Sequence, residues 1–100
     1  MFEFEVKENG GEVTAKLKGR LDATVAPKLH GELEKFRGQD IKKVTFDVGE
    51  LEYIASAGLR VIIFSKQKLG ANTDIFMKDV TEDVKSVIEM TGFDNLVTFI

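Results

Sequence analysis

The chain has 100 residues, of which 43% are hydrophobic and 31% charged, and this balance predicts one folded domain spanning residues 1–100. Its formal net charge of −3 provides no basic surface, which argues against nucleic acid and anionic membranes as partners. The chain has no cysteine, and its longest apolar run, residues 61–64, is far below the roughly 20 residues that cross a bilayer, so we expect a cytoplasmic protein without disulfides.

The first twenty residues predict a β-hairpin. Apolar and polar residues alternate over residues 2–6 and again over residues 13–17. The two segments are separated by a glycine-rich stretch, and we expect Asn9 and Gly10 to supply the positive φ angles of a tight turn.

A helix is predicted after the hairpin, because the spacing of the apolar residues changes to four, four and three. The residues with this spacing are Val25, Leu29, Leu33 and Phe36. Thr24 is the predicted N-cap, Pro27 suits the first turn, and Gly38 is expected to end the helix.

Strands and helices alternate in the rest of the chain. Residues 44–48 predict a strand, residues 56–69 a helix and residues 74–77 a further strand. A third helix is expected after a cap at residues 81–83, and residues 96–100 predict the last strand. This order predicts an α/β fold: a mixed sheet, formed by the N-terminal hairpin and parallel strands, with helices packed against it.

The segment that leads into the second helix is the candidate functional site, because partner and ligand sites collect at the carboxyl ends of parallel strands. Ser56 is the predicted N-cap of that helix. Its neighbours are small and leave the hydroxyl accessible; they are Ala55, Ala57 and Gly58. Ser56 could serve only as a helix cap. It could also be a phosphorylation site, since helix N–H groups can donate to a phosphate that carries about −1.5 to −2 charge.

Acidic residues are predicted beside Ser56. Asp22 is expected to end the second strand and Asp47 the third, at the same edge of the sheet, with Glu50 nearby. Asp22 could equally form a turn or cap the first helix, and Asp47 could simply end its strand. Such carboxylates would hold Mg²⁺ only weakly, and no dedicated metal site is predicted.

Two apolar stripes are predicted on the second helix. One of them consists of Leu59, Ile62 and Ile63. Val61 and Phe64 fall on roughly the opposite side, where they either pack against a neighbouring helix or form an exposed patch that docks a partner.

Enzyme motifs are incomplete in this sequence, and no catalytic residue is predicted. Ile54 occupies the position of the first glycine in a G-x-S-x-G nucleophile elbow. The single histidine, His30, is predicted in the middle of a helix and is a doubtful base for Ser56. The sequence also lacks the glycine-rich phosphate loops and the paired histidines of common metal sites.

Three segments resemble the STAS domain, the family of bacterial anti-sigma factor antagonists, and the likeness extends over nearly the whole chain. Residues 19–27 resemble the family's segment before its first helix, residues 54–60 its phosphorylation loop and residues 91–93 its last turn. The resemblance implies a protein that binds an anti-sigma factor when unphosphorylated and thereby releases a sigma factor for transcription. It implies that phosphorylation switches this binding off.

The resemblance also implies roles for individual residues. Ser56 matches the phosphoacceptor, and Asp22 and Asp47 match acidic positions near it. The predicted contacts to the partner are Ala55, Ala57, Gly58, Leu59, Arg60, Val61 and Phe64. The partner is implied to be the serine kinase itself, so that ATP and Mg²⁺ bind there and this chain needs no cofactor, and a phosphatase restores the unmodified form. Many family members have Asp or Ser immediately before the phosphoacceptor, where this chain has Ala55.

Two other functions are compatible with the sequence. A STAS domain can be a non-catalytic scaffold subunit of a stress-signalling or transporter complex that phosphorylation does not regulate. A small-ligand or nucleotide-binding module would require a pocket near Asp22 and Asp47.

Overall fold

The chain folds into a mixed sheet with packed helices in the computed structural model, which describes residues 1–70 and 72–100. Those residues form five strands and three α-helices. The strands are β1 (Phe2–Asn9), β2 (Glu12–Leu21), β3 (Lys43–Ile54), β4 (Asp74–Lys78) and β5 (Thr98–Phe99). The helices are α1 (Ala26–Glu34), α2 (Ser56–Lys68) and α3 (Glu82–Met90), and a short 3-10 helix follows at Phe93–Leu96. None of these helices combines the length and apolar character needed to cross a membrane.

The strands lie in the sheet in their chain order, β1-β2-β3-β4-β5. β1 and β2 are antiparallel, and each later strand is parallel to its neighbour. The predicted α/β class, with an N-terminal hairpin and parallel strands, is therefore confirmed.

The turn of the hairpin consists of Gly10 and Gly11, which have φ angles of +61° and +86°. Asn9 remains in β1 and pairs with Glu12. The prediction of a turn at Asn9 and Gly10 is wrong by one residue. A two-residue turn of this kind needs two positive φ angles, and two consecutive glycines adopt them without steric cost.

The start of α1 differs from the prediction. Its N-cap position is Val25, which makes no side-chain capping bond, so the prediction of Thr24 as N-cap is wrong. The carboxylate of Asp22 occupies this turn instead, because its Oδ1 accepts hydrogen bonds from the backbone N–H groups of Thr24 and Val25 at 3.0 and 3.2 Å. The helix ends at Glu34, four residues before Gly38, which has a φ of +83° in the turn that follows.

The third helix begins as predicted. Thr81 is its N-cap, and its hydroxyl accepts a hydrogen bond from the backbone N–H of Val84 at 3.4 Å. The last strand is shorter than predicted, since a 3-10 helix follows Gly92 and only Thr98–Phe99 pair with the sheet.

The third strand is longer than predicted and runs on to Ile54. Its pairing with β2 shifts register between Lys16 and Lys18 and again between Gly19 and Arg20. Such bulges add residues to a strand without ending it. The carboxyl end of β3 therefore lies six residues beyond the predicted end.

The two faces of the sheet have opposite character. The inner face is buried against the helices and contributes Val13, Ala15, Leu17, Val44, Phe46 and Val48 to the core. The outer face carries charges in register across four strands, in the order Glu5, Lys16, Asp47 and Lys78. Neighbouring charges of opposite sign favour this pairing and keep the open face hydrophilic.

Candidate functional site

The candidate site lies at the edge of the sheet where the parallel strands β2 and β3 end side by side. Leu21 pairs with Ile54 at these ends. The backbone N–H of Ala55 donates a hydrogen bond to the carbonyl of Leu21 at 2.9 Å. Asp22 and the start of α2 are consequently brought to the same edge, as predicted from the sequence.

Ser56 is the first residue of α2 and its side chain is exposed. Ala55 is the N-cap, with φ −90° and ψ 165°, and its carbonyl accepts a hydrogen bond from the N–H of Leu59 at 3.0 Å. The prediction of Ser56 as N-cap is therefore wrong by one position. Since no side chain caps this helix, the Ser56 hydroxyl does not have the capping role that was its alternative interpretation.

The start of α2 carries uncompensated positive character. The first N–H groups of a helix have no partners within it, and the helix dipole places partial positive charge there. The first turn of α2 contains no acidic residue, whereas α3 has Glu82 and Asp83 in its first turn. A negative group attached to Ser56 would meet this unneutralised end.

Three of the residues that were predicted to contact a partner are buried. Gly58 and Leu59 lie against the core, and Val61 is 7% exposed. All three residues are buried in the folded chain, so they expose little surface for the predicted contact with a partner. Of the other predicted contacts, Arg60 is exposed and Ala57 is half-buried.

Val61 and Phe64 do not form an exposed patch. Phe64 is half-buried, and its ring packs against the ring of His30 on α1, with a centroid separation of 4.4 Å. Of the two alternatives for the second stripe of α2, the structure therefore favours packing against a neighbouring helix, which Phe64 makes through His30. His30 also faces Glu34, whose Oε2 lies 3.8 Å from its Nδ1.

Asp22 and Asp47 have different surroundings. Asp22 is half-buried and uses its carboxylate to form the turn before α1. Asp47 lies within β3, seven residues before Ile54, which at about 3.3 Å a residue places it roughly 20 Å from the edge. The prediction that Asp47 flanks Ser56 is therefore wrong, since β3 does not end there.

The carboxylates at this edge are not arranged to bind a metal ion. Glu50 is engaged by Lys16 and Lys18, each at 3.5 Å. No group of three or more potential ligands is close enough to hold a metal ion within residues 1–70 and 72–100. The distance between Asp22 and Asp47 also excludes a single pocket lined by both.

The pair of Arg20 and Tyr53 at the same edge was missed by the sequence analysis. The guanidinium carbon of Arg20 lies 4.3 Å from the centroid of the Tyr53 ring, and both side chains are exposed. Cation–π contacts of this kind hold both groups in place at a surface. Each of the two residues lies one place before the end of its strand, and this shared position could have predicted the pair. It could not be used from the sequence alone, because β3 was not predicted to reach Ile54.

Comparison with known proteins gives a consistent result. The model of the STAS domain matches residues 3–100. Over 84 residues the chain is 32% identical to BtrV of Bordetella bronchiseptica, whose name gives it as a candidate anti-sigma factor antagonist. This match covers 83% of the chain and 72% of BtrV.

Solved structures share the fold over almost the whole chain. An anti-sigma factor antagonist from Mycobacterium paratuberculosis has a TM-score of 0.84 at 20% identity, over 99% of this chain and 85% of that one. The anti-sigma factor antagonist SpoIIAA in its unphosphorylated form has a TM-score of 0.83 at 15% identity, over 98% and 88% of the two chains. The phosphorylated form of SpoIIAA from Bacillus has a TM-score of 0.75 at 14% identity, over 98% and 91%.

Proposed function

The chain belongs to the STAS domain family, in the group of the anti-sigma factor antagonists, and we propose that it binds an anti-sigma factor through the edge that carries Ser56. In this proposal the unphosphorylated form holds the anti-sigma factor and leaves a sigma factor free for transcription. The observation that carries the proposal is the exposed Ser56 hydroxyl, free of any capping bond, at the first position of α2.

Phosphorylation of Ser56 ends the binding in this proposal. The hydroxyl attacks the γ-phosphorus of ATP held by the partner kinase, forms an O–P bond and releases ADP and a proton. A phosphatase then transfers the phosphate to water and restores the serine. The structural neighbour SpoIIAA occurs in phosphorylated and unphosphorylated forms, which supports phosphorylation as the modification in this proposal.

The proposed mechanism of release is electrostatic and steric. A phosphoserine carries about −1.5 to −2 charge at neutral pH, and enclosing it in an interface without a cation of the partner is costly. A loss of about 3 kcal/mol weakens binding more than a hundredfold. In this proposal a single phosphate in the middle of the contact is therefore enough to release the partner.

The contact surface in this proposal is smaller than the sequence predicted. The accessible groups around Ser56 are Ala55, Ala57 and Arg60 on one side, and Arg20 and Tyr53 at the ends of the strands on the other. They form a mixed polar and aromatic surface, which is typical of protein contacts.

Calorimetric titration of this chain against an anti-sigma factor kinase from the same organism tests the proposal. We expect Ser56→Asp to weaken binding at least tenfold and Ser56→Ala to bind like the wild type. Ser86→Asp adds the same charge at an exposed position on α3 and is the control. Addition of ATP and Mg²⁺ should release the wild type but not Ser56→Ala.

Two results would contradict the proposal. Equal affinities for Ser56→Asp and Ser56→Ala would show that this edge does not contact the partner. A complex that forms normally and persists with ATP and Mg²⁺ would indicate the scaffold function instead.

A further inference from the structure

Arg60 lies one helical turn after Ser56 on the same face of α2. Residues four apart on a helix have Cβ atoms about 5–6 Å apart, so their side chains can meet. Both side chains are exposed, and the residues between them are small or buried.

The guanidinium of Arg60 is not engaged by the part of the chain that the structure describes. It forms no ion pair or hydrogen bond with residues 1–70 and 72–100. Other cations have partners: Arg37 is paired with Glu34 at 3.1 Å, and Arg20 lies over Tyr53. Arg60 therefore gives up no ion pair or hydrogen bond to the described residues when it turns toward Ser56.

We propose that Arg60 binds the phosphate of phosphorylated Ser56 within the same chain and so fixes it in place. This inference rests on the proposed phosphorylation of Ser56. Arginine presents several N–H donors in a planar array that fits two phosphate oxygens at once. An anionic group four residues before a cationic one is also the more favourable order along a helix.

Other cations of the helix are less suited to this role. Lys66 donates a hydrogen bond to the carbonyl of Thr73 at 3.3 Å, and Lys68 lies in the last turn. Arg20 comes from the adjacent strand and is stacked on Tyr53. Arg60 combines the right spacing with a guanidinium that has no ion-pair partner among residues 1–70 and 72–100.

The pair makes Arg60 a second component of the switch. In the unmodified protein the guanidinium is exposed and available to an acidic group of the partner. The phosphate then withdraws this cation from the contact surface and adds its own charge. One modification changes two groups at the interface.

The titration of the phosphate itself provides the test. Phosphoserine is installed at position 56 by genetic code expansion, in the wild type, Arg60→Gln, Arg60→Lys and Lys68→Gln. ³¹P NMR follows the second pKa of the phosphate at low ionic strength. Asp22 and Glu52, the acidic groups near the edge, are present in all four proteins and cancel in the comparison.

We expect Arg60→Gln to raise the second pKa of the phosphate by about 0.2–0.4 pH unit, since removal of an ion pair of this spacing favours protonation. Arg60→Lys should retain most of the wild-type value, and Lys68→Gln should match the wild type. The ¹⁵N shift of the Arg60 Nε should move when position 56 carries the phosphate.

Identical pKa values in the wild type and Arg60→Gln would overturn the inference, as would an equal shift in Lys68→Gln. These outcomes are distinct from a failure of the proposed function. The phosphate is introduced without any kinase, so its contact with Arg60 is measured whether or not the phosphorylated protein still binds an anti-sigma factor.

Discussion

Gly58 of α2 lies directly against Leu21 at the end of β2. A Cβ built on Gly58 would come within 2.5 Å of the Cγ and 2.9 Å of the Cδ2 of Leu21. Only a residue without a side chain lets the first turn of the helix approach the strand this closely. The contact sets the position of Ser56, two residues earlier, beside Asp22 at the edge.

Gly58→Ala should therefore destabilise the protein. The added methyl group overlaps a buried side chain, and we expect the free energy of unfolding to fall by about 1–3 kcal/mol. Urea denaturation followed by circular dichroism measures this change. A stability equal to or above that of the wild type would show that Leu21 can move without cost.

Gly31→Ala should have the opposite effect and serves as the matched substitution. Gly31 lies on the exposed face of α1, and a Cβ there would meet nothing within 4 Å. Alanine favours the helix over glycine, so the free energy of unfolding should rise by about 0.5–1 kcal/mol. A loss of stability in the same urea titration would contradict the open surroundings of this position.

The sequence predicted the structure correctly where a feature depends only on residues close together in the chain. The cap at Thr81 is specified by its neighbours in the chain. The hairpin followed from alternation on both sides of a glycine turn. In these cases the pattern of buried residues follows the period of one helix or one strand, which can be read directly from the sequence.

The features that were predicted wrongly depend on contacts between residues far apart in the chain. The bulges near Lys18 and Gly19 carry β3 past residue 48, and no alternation in β3 itself reveals them. Asp47 was consequently predicted at the carboxyl end of β3, whereas it lies in the interior of the strand. On α2, a helical wheel shows that Val61 and Phe64 are apolar on a second side, but it cannot distinguish a partner protein from α1.

Ser65→Ala should stabilise the protein. Ser65 is fully buried, and its Oγ has no hydrogen-bond partner among the described residues. Such a hydroxyl costs about 1–3 kcal/mol in desolvation, part of which the substitution recovers. Ser86→Ala, at an exposed position of α3, gains helix propensity alone and is the control. Thermal unfolding should show a larger gain for Ser65→Ala, and equal gains would mean that the buried hydroxyl carries no penalty.

Glu5 should titrate below its usual pKa of 4.5. A hydrogen bond from Lys7, at 3.0 Å, is the main cause, followed by the charges of Lys7, Lys16 and Lys18. Because its pKa is lowered in the folded state, Glu5 contributes stability above pH 4.5, and this is lost as the pH falls through the folded pKa. NMR titration should show the Glu5 pKa rising toward 4.5 in Lys7→Gln and unchanged in Lys28→Gln. A pKa that does not respond to Lys7→Gln would remove Lys7 as the cause.

Asp22→Asn and Asp22→Ala should separate the two roles considered for this carboxylate. Its Oδ1 accepts hydrogen bonds from Thr24 and Val25, and an asparagine Oδ1 can do the same. We expect Asp22→Ala to lower the free energy of unfolding by about 1 kcal/mol, as the loss of a cap does, and Asp22→Asn to change it little. Urea denaturation measures both variants.

If Asp22→Asn loses as much stability as Asp22→Ala, the charge rather than the acceptor holds the turn. If the turn depends on the acceptor, Asp22→Asn is a folded protein that lacks the acidic group at the edge. Under the proposed function, a kinase assay of this variant then measures the effect of the Asp22 charge alone on phosphorylation of Ser56.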